Sequence, residues 1–193
     1  MPRIDNETFY INAIKKYGQT AEGVCWHSKV HQEIRFEKLL ELLPTDLSGE
    51  TLLDAGCGFG DFYTYLLKNK REPKEYLGVD SIAKMCHITT NKTVAKTLHQ
   101  DICKEALPAY DYICCSGALN ILTPYETHAF IRNCYTAANK AFFFNVLYGS
   151  KDSSTYNYLN KDQISAIAKE LQVKKVVFIQ EYLPSDITVG FFR

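Results

Sequence analysis

Three glycines, Gly56, Gly58 and Gly60, alternate directly after the apolar run Thr51-Leu52-Leu53-Asp54. Glycines at this spacing let a chain turn sharply and bring its backbone close to a ligand, and a helix starting there offers free N–H groups to a bound carboxylate or phosphate. A dinucleotide site would carry its third glycine at position 61, where Asp61 stands and would oppose a pyrophosphate. No Gly-Lys-Ser/Thr follows the turn either, so a P-loop is excluded. Asp80 ends the next apolar run, and its two carboxylate oxygens can accept from both hydroxyls of a ribose. Together these residues suit a nucleoside without a pyrophosphate. A nicotinamide-dependent oxidoreductase would keep Gly56, Gly58 and Asp80 but would have to accommodate Asp61.

The elements that position these residues follow from periodicity. Phe36, Leu39, Leu40 and Leu43 fall on one helical face within a helix expected over 31–43, ended by Pro44. The strand Thr51 to Asp54 enters the glycine turn, and Phe62, Tyr65 and Leu66 continue as a helix. A second strand, Glu75 to Val79, closes on Asp80, after which Ser81 can cap a helix through about Thr90. Strands are further expected over 95–99, 110–115 and 140–147, with helices around 124–138 and 161–171. Two last β-rich runs, 174–182 and 186–192, are separated by Leu183-Pro184-Ser185, short enough for a hairpin. The alternation predicts an α/β fold: a Rossmann-like, seven-stranded, mostly parallel sheet with a C-terminal antiparallel hairpin and helices on both faces. The 193 residues suit one domain, with 1–29 a lid segment and 30–193 the core.

Asp54-Ala55-Gly56-Cys57-Gly58-Phe59-Gly60 resembles the first motif of the class I S-adenosylmethionine-dependent methyltransferases, and the resemblance extends over nearly the whole chain. It supplies the strand order and implies S-adenosylmethionine as cofactor, S-adenosylhomocysteine as product, and methyl transfer by in-line displacement. Asp54 would order the turn and help hold the amino end of the methionyl moiety, with Ala55, Gly56, Cys57 and Gly58 beside the cofactor. Asp80 and Ser81 would meet the ribose. Asp101 and Ile102 resemble the segment that holds the adenine, and Ser116-Gly117-Ala118-Leu119-Asn120 the fourth-strand motif lining the methyl donor. Tyr17-Gly18, Gly23 to Lys29, Arg35-Phe36 and Glu181 to Thr188 resemble a group of small bacterial methyltransferases without an assigned substrate. No Asn/Asp-Pro-Pro-Tyr follows the fourth strand, which disfavours adenine or glutamine amide methylation.

Around this centre, Trp26 and Tyr17 fall in the lid segment, where an aromatic face can hold a sulfonium without over-solvating it. Arg35 borders the buried face of its helix and could clamp the cofactor's carboxylate bidentately. His27, His31, Asn145, Tyr148 and Tyr156 are candidates to orient an acceptor. The seven cysteines read as reduced thiols, five of them (Cys57, Cys86, Cys114, Cys115, Cys134) in core segments, and no Cys/His spacing suits zinc. That usage, with no apolar leader or spanning run, points to a cytoplasmic protein. Twenty-two Lys and Arg balance twenty-two Asp and Glu, which disfavours nucleic acid and membrane partners, and the short chain favours a small-molecule acceptor. The hydrophobic share of 46% excludes a disordered chain. A non-catalytic S-adenosylmethionine sensor or partner subunit would share every cofactor residue.

Overall fold

The computed structural model describes residues 5–193. Its strands are β1 (Thr51–Ala55), β2 (Glu75–Asp80), β3 (Lys96–His99), β4 (Tyr110–Ser116), β5 (Ala138–Tyr148), β6 (Tyr158–Leu159), β7 (Lys175–Ile179) and β8 (Asp186–Phe192). They form one sheet in the order β3-β2-β1-β4-β5-β8-β7. β8 runs antiparallel to both β5 and β7, while the pairs from β3 to β5 are parallel. The seven expected strands are all present. The additional β6 is a two-residue pairing against the end of β5, too short to leave a periodic signal.

Helices α1 (Asn6–Tyr17), α2 (Lys29–Leu42), α3 (Asp61–Lys68), α4 (Ala83–Thr93), α5 (Pro124–Ala137) and α6 (Lys161–Glu170) surround the sheet. Successive strand side chains point to opposite faces, so adjacent apolar residues feed two cores. Leu53, Cys115, Phe142 and Phe144 pack with Phe130 and Ile131 of α5 and Ile164 of α6. Leu52, Cys114 and Phe143 pack on the other face with Phe36 and Leu39 of α2 and Phe62 and Leu66 of α3. Burying each such Leu or Phe is worth roughly 1.5–3 kcal/mol. The five cysteines expected in the core are all buried and unpaired.

Caps fix the helix starts. Thr123 accepts from the Glu126 N–H while the Glu126 carboxylate accepts from the Thr123 N–H, and Asn160 with Gln163 repeats the arrangement at α6. At α4 the expected cap is displaced: Ile82 holds the cap position, and Asp80 Oδ1, rather than Ser81, accepts the Ile82 N–H at 2.9 Å. The carboxylate already turned toward the helix start outcompetes a hydroxyl one residue further on.

Helix α1 has no counterpart among the expected elements. Asp5 caps it, accepting from the Thr8 N–H, and Gly18 ends it. Ile14 packs with Phe59, Ile82, Met85 and Ile88, so the helix sits over the glycine turn.

Candidate functional site

The turn after β1 is held by its neighbour strand. The Gly56 and Cys57 N–H groups both donate to the Val79 carbonyl, at 2.8 and 3.0 Å, which draws the turn against the end of β2. Gly56 lies at φ +82°, and a Cβ there would stand 2.5 Å from the Ala118 Cβ, so only glycine allows this closeness. Asp80 Oδ2 accepts the Gly58 N–H at 3.0 Å and Oδ1 accepts Ile82. Each oxygen keeps a further lone pair, so the carboxylate is fixed in place and still able to accept from two hydroxyls. Burial pushes Asp80 up to about 6, against the pull of those N–H donors.

Asp54, at the end of β1, is 2% exposed and lines the same cleft. Its Oδ2 accepts the Tyr76 hydroxyl at 2.7 Å. Burial raises its carboxyl to about 7; the Tyr76 bond opposes this, and the Asp80 charge adds to it. Its ionised form therefore favours a cation, such as an ammonium, close by. Asp101 and Ile102 also line the cleft; Asp101 Oδ1 caps the following turn through the Cys103 N–H at 3.0 Å and its other oxygen pairs with Lys104. Ser116, ending β4, faces the cleft and donates to Asn145 Oδ1 at 2.8 Å.

The N-terminal segment crosses the opening. Tyr10 of α1 and Val24, Cys25 and Trp26 line the cleft with Gly56, Cys57, Gly58 and Ser81. Burial, followed by the neighbouring Cys25 and Asp80, raises the Tyr10 phenol, so its hydroxyl remains a donor. Positions 1–4 of the expected lid lie outside the described residues. Ala55 is not in the lining: its methyl is buried in the core beneath the turn.

Of the acceptor candidates, Tyr156 lines the cleft while His27, His31, Asn145 and Tyr148 do not, and besides Ala55 two cofactor-site candidates take other positions than expected. Tyr17, 45% exposed, is at the far end of α1 with Lys16 over its ring, and the ring reaching the cleft is Tyr10, two turns earlier. Arg35 is outside the lining, and its bidentate carboxylate is internal: Nε donates to Asp186 Oδ1 at 2.8 Å and Nη2 to Oδ2. The same guanidinium lies 4.5 Å from the Trp26 ring centroid. A free clamp for a ligand carboxylate is thereby ruled out for Arg35, because the fork is already satisfied by Asp186.

Sequence reasoning missed the apolar walls of the cleft, Phe59, Ile82 and Met85, and the wall that Ile121 and Leu122 add beside Ala118 of the fourth-strand motif. The cleft measures about 500 Å³ and opens at the C-terminal ends of β1, β2 and β4. That is where an open parallel sheet binds ligands, and the volume suits a nucleoside-sized molecule with a small partner.

Fold and site thus define an α/β protein whose cleft, at the switch of its sheet, suits a nucleoside without a pyrophosphate. The model of the methyltransferase domain family matches residues 26–151, well over half of the chain. This chain belongs to that family, in its S-adenosylmethionine-dependent class I form. No curated protein matches it in sequence. Among solved structures, the complex of DhpI with SAM and HEP superposes with TM-score 0.74 at 11% identity, over 95% of this chain and 94% of that one. A SAM-dependent methyltransferase from Leishmania major gives 0.72 at 18%, over 96% and 83%. Magnesium protoporphyrin IX methyltransferase (ChlM) from Synechocystis PCC 6803, with bound SAH, gives 0.67 at 15%, over 84% and 83%. These likenesses are of fold.

Proposed function

We propose that the protein transfers the methyl group of S-adenosylmethionine to a small-molecule acceptor in the cytoplasm. The observation that carries the cofactor assignment is the fixed Asp80 carboxylate beside the Gly56–Gly60 turn, with a lone pair left on each oxygen. The residues fit the cofactor: a Cβ at Gly56 would fill the cradle, and Asp54 supplies a buried carboxylate that favours an ammonium. When bound, S-adenosylmethionine supplies a sulfonium-activated methyl group to an acceptor atom by in-line displacement.

The chain's own work is then placement and exclusion of water. Asp80 and Ser81 hold the ribose hydroxyls, Asp101 and Ile102 the base, and Asp54 the amino end. Tyr10 and Trp26 bring aromatic faces to the cleft, and the segment up to Lys29 acts as its lid. Alignment in a dry site supplies a large part of such a rate enhancement, so a dedicated base is needed only for a poor nucleophile. The size of the cleft, with Asn120 and Tyr156 at its margin, supports a small acceptor.

Calorimetric titration with S-adenosylmethionine, S-adenosylhomocysteine and a nicotinamide dinucleotide, repeated on Asp80→Ala, tests the assignment. Binding of the two sulfur nucleosides alone, lost in the variant, is expected. Preference for the dinucleotide refutes it. Methyl transfer from labelled cofactor to a small-molecule pool, against protein and RNA, tests the acceptor class.

A further inference from the structure

The buried pair Arg35–Asp186 is not part of the cleft lining, yet it is joined to the cleft through one ring. Asp186, at the start of β8, takes the Arg35 fork through Nε and Nη2, and Arg35 Nη1 donates to the His31 carbonyl at 3.1 Å. Both side chains are almost completely buried. With those three donors committed, the guanidinium has no freedom to turn, and the Trp26 ring lies over it at 4.5 Å. The far edge of that indole presses on Gly117, where a Cβ would stand 2.3 Å from Cη2.

The base of this stack is tied down a second time. Asn145 Nδ2 donates to Thr188 Oγ1 at 2.6 Å and to the Arg35 carbonyl at 3.5 Å, while Asn145 Oδ1 accepts from Ser116. Strands β4, β5 and β8 and helix α2 therefore meet in one polar cluster beside Trp26. A buried ion pair is often no more stabilising than apolar residues of the same volume. What a planar fork provides here is a fixed plane, on which the Trp26 ring is stacked.

We infer that Arg35 is a positioning residue for methyl transfer: oriented by Asp186, it holds the Trp26 indole against Gly117 and so sets the aromatic wall of the cleft. The inference rests on the cofactor reading above. It turns a residue of α2 and one of β8 into determinants of how the N-terminal segment meets the bound sulfonium.

Trp26 is the only tryptophan in the sequence, so tryptophan emission, excited to the red of tyrosine absorption, reports on this ring alone. The experiment compares Arg35→Lys, Trp26→Leu and the double variant by titration with S-adenosylhomocysteine and S-adenosylmethionine. Arg35→Lys keeps the charge and loses the fork. Its tryptophan emission is expected to move to the red, and its affinity for S-adenosylmethionine to fall about tenfold. The double variant should bind no more weakly than Trp26→Leu, because Arg35 acts through that ring. If Arg35→Lys does not fold, Arg35→Met with Asp186→Leu, which removes both charges together, takes its place.

Unchanged emission and affinity, or losses in the two single variants that simply add in the double, would overturn the inference. Failure of the unaltered protein to bind either sulfur nucleoside would instead remove the cofactor reading on which it rests.

Discussion

Replacing Asp54 with Asn is expected to make the ligand-free protein more stable near pH 8 while removing its affinity for S-adenosylmethionine. Burial raises the Asp54 carboxyl to about 7. Against about 3.9 for an unfolded aspartate, that gap disfavours the ionised folded form by about 4 kcal/mol. The sign follows from which state keeps the proton. The folded state holds it where the unfolded chain has released it, so the stability is fully present below about pH 4 and is lost as pH rises to about 7. The Asp54→Asn side chain would carry no charge and could still accept the Tyr76 hydroxyl, but its buried amide N–H groups need partners, which reduces the gain to about 2 kcal/mol. For a chain of this size that is a rise in melting temperature of about 4–8 °C. Melts followed by circular dichroism near pH 8 and pH 5, with and without S-adenosylmethionine, give the test. The gap between variant and parent should shrink at the lower pH, and only the parent should gain from the cofactor. A variant less stable than the parent near pH 8, or an equal gap at both pH values, would refute the argument.

Gly56→Ala places a Cβ 2.5 Å from that of Ala118 at a positive φ, so a loss of about 1–3 kcal/mol in stability and a larger loss of cofactor affinity are expected, read by urea unfolding and calorimetry. Asp186→Ala leaves Arg35 buried without its counter-charge and should cost about 3–5 kcal/mol by urea unfolding. Asn160→Ala removes the α6 capping box for about 1 kcal/mol, and S-adenosylmethionine binding should keep its parent value because neither Asn160 nor Gln163 lines the cleft.

The glycine turn and the carboxylates beside it were legible because they are local. Asp54 and Gly56–Gly60 are contiguous, and Asp80 follows one strand later, so order along the chain already placed them at adjacent strand ends. The adjacent Cys114 and Cys115 likewise announced their opposite faces through the two-residue period of a strand. Arg35 was misread for the opposite reason. Its type and its place on a half-buried helix face were visible, but its partner stands 151 positions away on a strand whose neighbours only the folded sheet decides. Helix α1 was overlooked although Asp5 and Gly18 bracket it and Tyr10, Ile14 and Tyr17 share a face; its polar composition masks the period. The cleft walls of Phe59, in the glycine turn, and of Ile82 and Met85, at the start of α4, were hidden because apolar residues beside a helix start read as core until a cavity shows otherwise.

The position of β8 bears on how the protein comes to be active. β8 is the last strand in sequence, yet it lies between β5 and β7, and it carries Asp186 and Thr188. Its pairing with β5 joins residues 39 to 51 positions apart, so chain-closure entropy must be met before Asp186 stands beside Arg35. The glycine turn and Asp80 can assemble from β1 and β2 while the sheet is still open, whereas the support under Trp26 exists only once β8 is inserted. The Trp26 side of the cleft therefore depends on a strand far along the chain from the glycine turn that forms its other side.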